Sequence, residues 1–149
     1  MDLFWSGKTD CVGYGNLIGT SFSTFNDGAE AYMGIAVSGF PNFFMTYGPN
    51  TNLGHNSIIF MIEAQVRYIL QCIEALNRRG LKTLNVRPEV QAGFNADLQQ
   101  SLDDKSIWAT GCASWYKNQA GKVVNNWKGT TLEYWFRTRR PIWSQYQEG

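Results

Sequence analysis

Histidine is nearly absent from this 149-residue chain, cysteine is scarce, and charge of either sign is thin. The single histidine, His55, leaves no Cys/His cluster with zinc-type spacing. Cys11, Cys72 and Cys112 are odd in number, widely spaced and without a Cys-x-x-Cys pair, so they read as reduced thiols of a cytosolic protein. Charged residues make up 17%, against about 25% in ordinary domains. Thirteen Lys and Arg balance twelve Asp and Glu, for a net charge of +1. That near-neutrality argues against a global pull toward nucleic acid or an anionic membrane. The longest unbroken apolar run, Ile58 to Ile62, is far short of a membrane span. Met1 to Asp10 holds no apolar stretch of a signal peptide. A cytoplasmic protein with no nucleic-acid and no membrane partner is expected.

What is present is apolar and aromatic. Hydrophobic residues make up 44% and aromatic ones 15%, which argues against disorder. The length suits one domain, able to bury roughly two thirds of its unfolded surface. A lightly charged chain with so many rings needs cover from a cofactor, a partner or the rest of a larger protein.

Residues 1–41 are rich in Gly and Ser, with a turn signal at Asn26-Asp27-Gly28. Phe43-Phe44-Met45-Thr46-Tyr47 is short and almost wholly apolar, the pattern of a buried strand in a parallel sheet. A polar loop, Gly48 to Ser57, then opens into the clearest helix, Ser57 to Arg79. Asn56 or Ser57 suits its N-cap, and Arg78-Arg79-Gly80 its end. Ile58 to Ile62 are apolar all round, which predicts burial on every side. Pro88 opens a second helix, with Val90, Phe94, Leu98 and Leu102 on one stripe. Asn118 to Lys122 reads as a hairpin turn, and Thr131 to Arg140 is strand or helix.

Gly13-x-Gly15-x-x-x-Gly19 is not a dinucleotide fingerprint, because no helical pattern follows it. The Asn50–Ser57 loop is more informative. A strand, a Gly/Asn loop and a helix start can build an anion or cofactor site, or a plain connection. His55 lies in this loop with no nucleophile and carboxylate matched to it, so triad chemistry is unsupported. Five of the six tryptophans lie beyond residue 100, and three of them, Trp115, Trp127 and Trp135, are interleaved with Lys and Arg between Ala113 and Arg140. The alternative reading is therefore a non-enzymatic module that stacks single-stranded nucleic acid or a sugar on these rings.

Several segments together carry a resemblance. They are Asp27-Gly28-Ala29-Glu30-Ala31-Tyr32-Met33-Gly34, Gly39-Phe40-Pro41-Asn42-Phe43-Phe44, the run Tyr47-Gly48-Pro49-Asn50-Thr51-Asn52-Leu53-Gly54-His55-Asn56-Ser57-Ile58, and Ser114-Trp115-Tyr116. From about Asp27 to Arg140 the chain resembles the C-terminal part of flavin-dependent monooxygenases of the Baeyer–Villiger type, including those like hydroxyacetophenone monooxygenase. The implied fold is α/β, the C-terminal portion of a flavoprotein with two dinucleotide-binding domains, with a buried strand, a long helix and an aromatic-rich tail. The implied chemistry uses FAD and NADPH to oxygenate a ketone or a heteroatom through a flavin peroxide. Asn50, Thr51, Asn52, Leu53, Gly54, Asn56, Ser57 and Ile58 would lie at the flavin, and Trp115 near the nicotinamide nucleotide. Leu53, Gly54 and His55 would line the substrate side. No catalytic residue and no metal ligand is implied.

The departures are as informative. The family's N-terminal FAD fingerprint, its NADPH-binding glycine motif, the signature between them and the arginine beside the flavin have no counterpart here. Residues 1–26 match poorly, and Lys128 stands where a proline is common after the tryptophan. The expectation is one partial domain over residues 1–149, a C-terminal fragment that is inactive alone and whose partner is a missing N-terminal nucleotide-binding portion.

Overall fold

A computed structural model of the chain describes residues 28–53, 57–105 and 122–149. The expected turn at Asn26-Asp27 and most of that at Asn118–Lys122 lie outside them.

The elements, in chain order, are α1 (Ile58–Arg79), β1 (Leu84–Val86), α2 (Pro88–Lys105), α3 (Thr131–Thr138) and β2 (Tyr146–Glu148). Both ends of α1 follow from capping chemistry. Ser57 is the N-cap, with Oγ accepting from the Phe60 amide at 3.4 Å. Gly80 ends the helix in the left-handed region, φ 63°, its N–H donating to the Leu76 carbonyl. α1 buries Met61, Ala64, Gln65, Tyr68, Cys72 and Ala75 along one face.

α2 begins at Pro88, as its sequence predicts. Its apolar stripe faces inward, with Leu98 and Leu102 fully buried and Val90 and Phe94 partly so. A Cβ at Gly93 would meet open space, so packing does not require that glycine. The undecided segment 131–140 is helix α3 over its first eight residues, capped by Thr130 Oγ1, which accepts from the Glu133 amide at 3.1 Å.

Among the described residues the sheet has two strands. β1 pairs antiparallel with β2, in the register Leu84 to Glu148 and Val86 to Tyr146. Leu84 and Val86 are buried. Two apolar clusters form the core. Tyr32, Ile35, Tyr68, Cys72, Leu84, Val86 and Tyr146 meet in one. Leu53, Met61, Leu98, Leu102, Val123, Trp127 and Tyr134 meet in the other. Phe94 of α2 packs against both. Burial of each large side chain contributes about 1.5–3 kcal/mol.

Two expectations are corrected. Phe43–Tyr47 is no buried parallel strand: it makes one antiparallel bridge, Phe44 to Ala36, and Phe43 and Tyr47 are exposed. Left-handed backbone at Asn42 (φ 58°) and Tyr47 (φ 56°) closes off the extended run at each end. The start of α1 is not buried on every side either. Met61 is buried, but Ile58 and Ile59 face outward, because no described element packs over them. No helix among the described residues is long and apolar enough to cross a membrane.

Candidate functional site

The polar loop ahead of α1 is held as firmly as a strand. Asn50 sits in the left-handed region, φ 58°, a conformation asparagine tolerates. Its backbone N–H donates to the Val124 carbonyl at 3.0 Å. Its side-chain Nδ2 donates to the carbonyls of Val123 (2.8 Å) and Asn126 (3.2 Å). The Asn52 N–H donates to the Asn125 carbonyl, and the Trp127 N–H donates back to the Asn52 carbonyl, both at 2.9 Å. These bonds make a parallel bridge between Asn52 and Asn126. Thr51 Oγ1 donates to the Gly48 carbonyl at 2.7 Å. Asn50, Thr51 and Leu53 are therefore buried.

Gly34 and Gly48 make room for this loop. A Cβ on Gly34 would collide with Thr51 Cγ2 and stand 2.9 Å from the Pro49 carbonyl oxygen. A Cβ on Gly48 would collide with the Gly34 carbonyl and stand 2.6 Å from Met45 Sδ. Glycine is required at both positions by close approach of backbone to backbone.

A buried polar relay fixes the loop to the helices. Gln65 of α1 accepts from the Tyr47 N–H at 2.8 Å and donates to the Tyr134 hydroxyl of α3 at 2.8 Å. Tyr134 in turn donates to the Met33 carbonyl at 2.6 Å. One glutamine thus joins the loop, α1, α3 and the 31–37 turn. Spacing gave no hint of this relay, nor of the 123–127 segment that staples the loop, since both partners lie far away in sequence.

The predicted site residues divide in three. Asn50, Thr51, Asn52 and Leu53 are brought together with Val123–Trp127. Ser57 and Ile58 stand at the exposed start of α1. Gly54, His55, Asn56 and Trp115 lie outside the described residues. At the helix start the Phe60 amide is taken by Ser57 Oγ, and Ile58 and Ile59 precede the first possible intrahelical acceptor. Their amides point partial positive charge outward, beside the exposed Ile58 and Ile59 side chains. The arrangement offers an anion-favouring edge next to an apolar rim. Asn126 Nδ2 is a buried side-chain donor with no partner among the described residues.

Among the described residues, the buried tyrosines and Cys72 are held in their neutral forms. Desolvation pushes the Tyr32 hydroxyl up to about 12, against a smaller opposing effect of its hydrogen bond to Gln145. Burial likewise pushes the Cys72 thiol up to about 12. It raises Tyr68, Tyr134 and Tyr146 as well. No cluster of three or more metal-ligating side chains occurs among the described residues.

Trp127, a candidate stacking ring, is in the core. It lies nearly parallel to Phe94 (centroids 6.4 Å apart) and edge-on to Tyr134 (5.1 Å), and donates Nε1–H to the Thr130 carbonyl. It could stack on a base or sugar only by leaving that packing.

No family model matches the chain. It is 41% identical over 126 residues to an FAD-binding monooxygenase, ktnD, of Aspergillus niger. It is 42% identical over 119 residues to a Baeyer-Villiger monooxygenase of Pseudomonas aeruginosa. The chain is a homologue of the C-terminal part of the Baeyer–Villiger-type flavin monooxygenases. These matches cover 82% and 78% of the chain but 21% and 22% of the relatives. The monooxygenase homologue thus spans about a fifth of the length of the curated relatives it matches. Its fold agrees with that of solved enzymes. An oxidized steroid monooxygenase bound to NADP superposes with a TM-score of 0.71 at 22% identity, over 84% of this chain and 24% of that one. A cyclohexanone monooxygenase variant from Rhodococcus sp. Phi1, bound to NADP+, gives 0.70 at 18% identity, over 85% and 23%. The helices and small sheet described above fit such a C-terminal portion.

Proposed function

We propose that this chain forms one wall of the flavin and substrate site of an FAD- and NADPH-dependent monooxygenase that oxygenates a ketone or a heteroatom, and that it does not turn over by itself. The observation that carries the reading is the stapled loop Asn50–Leu53 leading into the free N-terminus of α1. The donor chemistry suits a flavin: outward amides at Ile58 and Ile59 favour negative charge at a ring edge, and exposed Ile58 and Ile59 offer it apolar contact. Bound flavin would supply the activation of dioxygen, with NADPH as the source of electrons.

The chain's own residues then have distinct tasks. Asn50 and Thr51 spend their side chains on holding the loop. Their contribution to the flavin is through the backbone they position. Ser57 and Ile58 would present the helix terminus; Leu53, whose side chain is in the core, would offer only backbone to the substrate side assigned to it with Gly54 and His55. Trp115 is assigned to the nicotinamide nucleotide by the family resemblance alone. A cytoplasmic site of action belongs to the same reading, supported by the free and buried Cys72.

The test is a titration of the purified 149-residue chain with FAD, followed by NADPH oxidation with a cyclic and an aryl ketone. Weak flavin binding and no ketone-dependent NADPH loss are expected. Stoichiometric FAD with ketone-dependent NADPH consumption would overturn the proposal that the chain does not act alone.

A further inference from the structure

Helix α1 is apolar on two opposite faces, and the other described residues cover only one of them. The buried face carries Met61, Gln65, Tyr68, Cys72 and Ala75. Turned about half a revolution away are Ile59, Val66, Leu70 and Ile73, with partly exposed Ile62 between the first two. Their spacing of three and four residues makes a straight stripe, about 21 Å from end to end at ~1.5 Å per residue. Ile59 is 68% and Leu70 53% exposed. The charged residues of the helix lie off this stripe: Glu63, Arg67, Glu74 and Arg78 form a side strip, and Arg79 at the last position pairs with Glu148 of β2. A second apolar face on one helix marks an element packed on two sides in its working state.

We infer that the Ile59–Ile73 stripe is the docking face for the nucleotide-binding remainder that the relatives carry outside the aligned fifth. The inference rests on the flavin-site reading above. Three observations favour that occupant. The relatives and the structural neighbours place a segment of this fold within chains four to five times as long as the part it matches. The stripe starts at Ile59, beside the helix terminus to which the flavin is assigned, so whatever brings the flavin arrives next to it. The stripe carries no charge of its own, so it suits an apolar protein face rather than a nucleic acid or an anionic lipid surface.

Single cysteines report the cover directly. Val66→Cys and Leu70→Cys test the stripe, and Glu74→Cys serves as a control on the charged strip. Each is placed in the 149-residue chain and in a chimera, the Pseudomonas aeruginosa enzyme with its aligned segment replaced by this chain. Alkylation is followed peptide by peptide, so Cys11, Cys72 and Cys112 are read separately. The expected result is at least tenfold slower labelling at 66 and 70 in the chimera than in the chain, with 74 unchanged. Equal labelling overturns the inference, and so does a chimera that never accumulates as soluble protein. Protection already present in a dimeric 149-residue chain also overturns it, in favour of a second copy. Flavin content is measured in the same samples. A protected stripe without bound FAD defeats the flavin-site reading alone, and bound FAD with an unprotected stripe defeats the docking face alone.

Discussion

Two adjacent segments reverse what their composition implies. Phe43–Tyr47 is apolar and lies largely at the surface, with Phe43 50% exposed. Asn50–Leu53 is mostly polar and is buried, with Thr51 only 1% exposed. The difference is where the hydrogen bonds lie. The first segment bonds through its backbone, to Phe40, Ile35 and Gln65, and through the exposed Tyr47 hydroxyl, and leaves the Phe43 and Tyr47 rings at the surface. The second spends the Asn50 and Asn52 amides, the Asn52 carbonyl and the Asn50, Thr51 and Asn52 side chains inward, on Val123–Trp127 and Gly48. Burial follows satisfied polar groups as much as hydrophobicity, and this loop is the wall assigned to the flavin.

The comparison can be broken most severely at Gly34. Gly34→Ala adds a Cβ at φ 66° against Thr51 and the Pro49 carbonyl. Strain and overlap together should cost about 3 kcal/mol or more, seen as a lower urea midpoint by circular dichroism. Asn50→Leu comes next. It leaves the Asn126 carbonyl without its side-chain donor, leaves the Val123 carbonyl with Gln99 Nε2 alone, and places a leucine at positive φ. A loss of about 2–3 kcal/mol is expected from chemical denaturation. Tyr134→Phe removes the hydroxyl between Gln65 and Met33, for about 1–2 kcal/mol. Its thermal midpoint should drop by several degrees. Phe43→Ser marks the other end of the scale: an exposed ring should cost under about 0.5 kcal/mol in the same urea titration. A loss at Phe43 as large as that at Asn50 would erase the contrast.

The helices were legible because their signals are local. Ser57, Gly80 and Pro88 stand at the ends where capping chemistry puts them. α3 stayed ambiguous because eight residues with Thr, Tyr, Trp and Phe fit either period. Thr130 with Glu133 three residues on was the overlooked start signal. β1 and β2, three residues each, are too short to leave a pattern. The strand reading of Phe43–Tyr47 failed because nothing local reveals that Asn42 and Tyr47 turn left-handed. The loop of the candidate site was legible as a glycine- and asparagine-rich approach to a helix start. Its staple was not, because Asn50 and Asn126 meet across 76 residues of chain.

The central claim is that the Asn50–Ile58 wall holds flavin only when the remainder of the enzyme closes on it. The measurement is FAD retained per polypeptide after gel filtration, for the 149-residue chain and for the Pseudomonas aeruginosa chimera described above. Near-stoichiometric FAD in the chimera and almost none in the isolated chain is the predicted result. A folded chimera without FAD, or an isolated chain that keeps it stoichiometrically, would contradict the account.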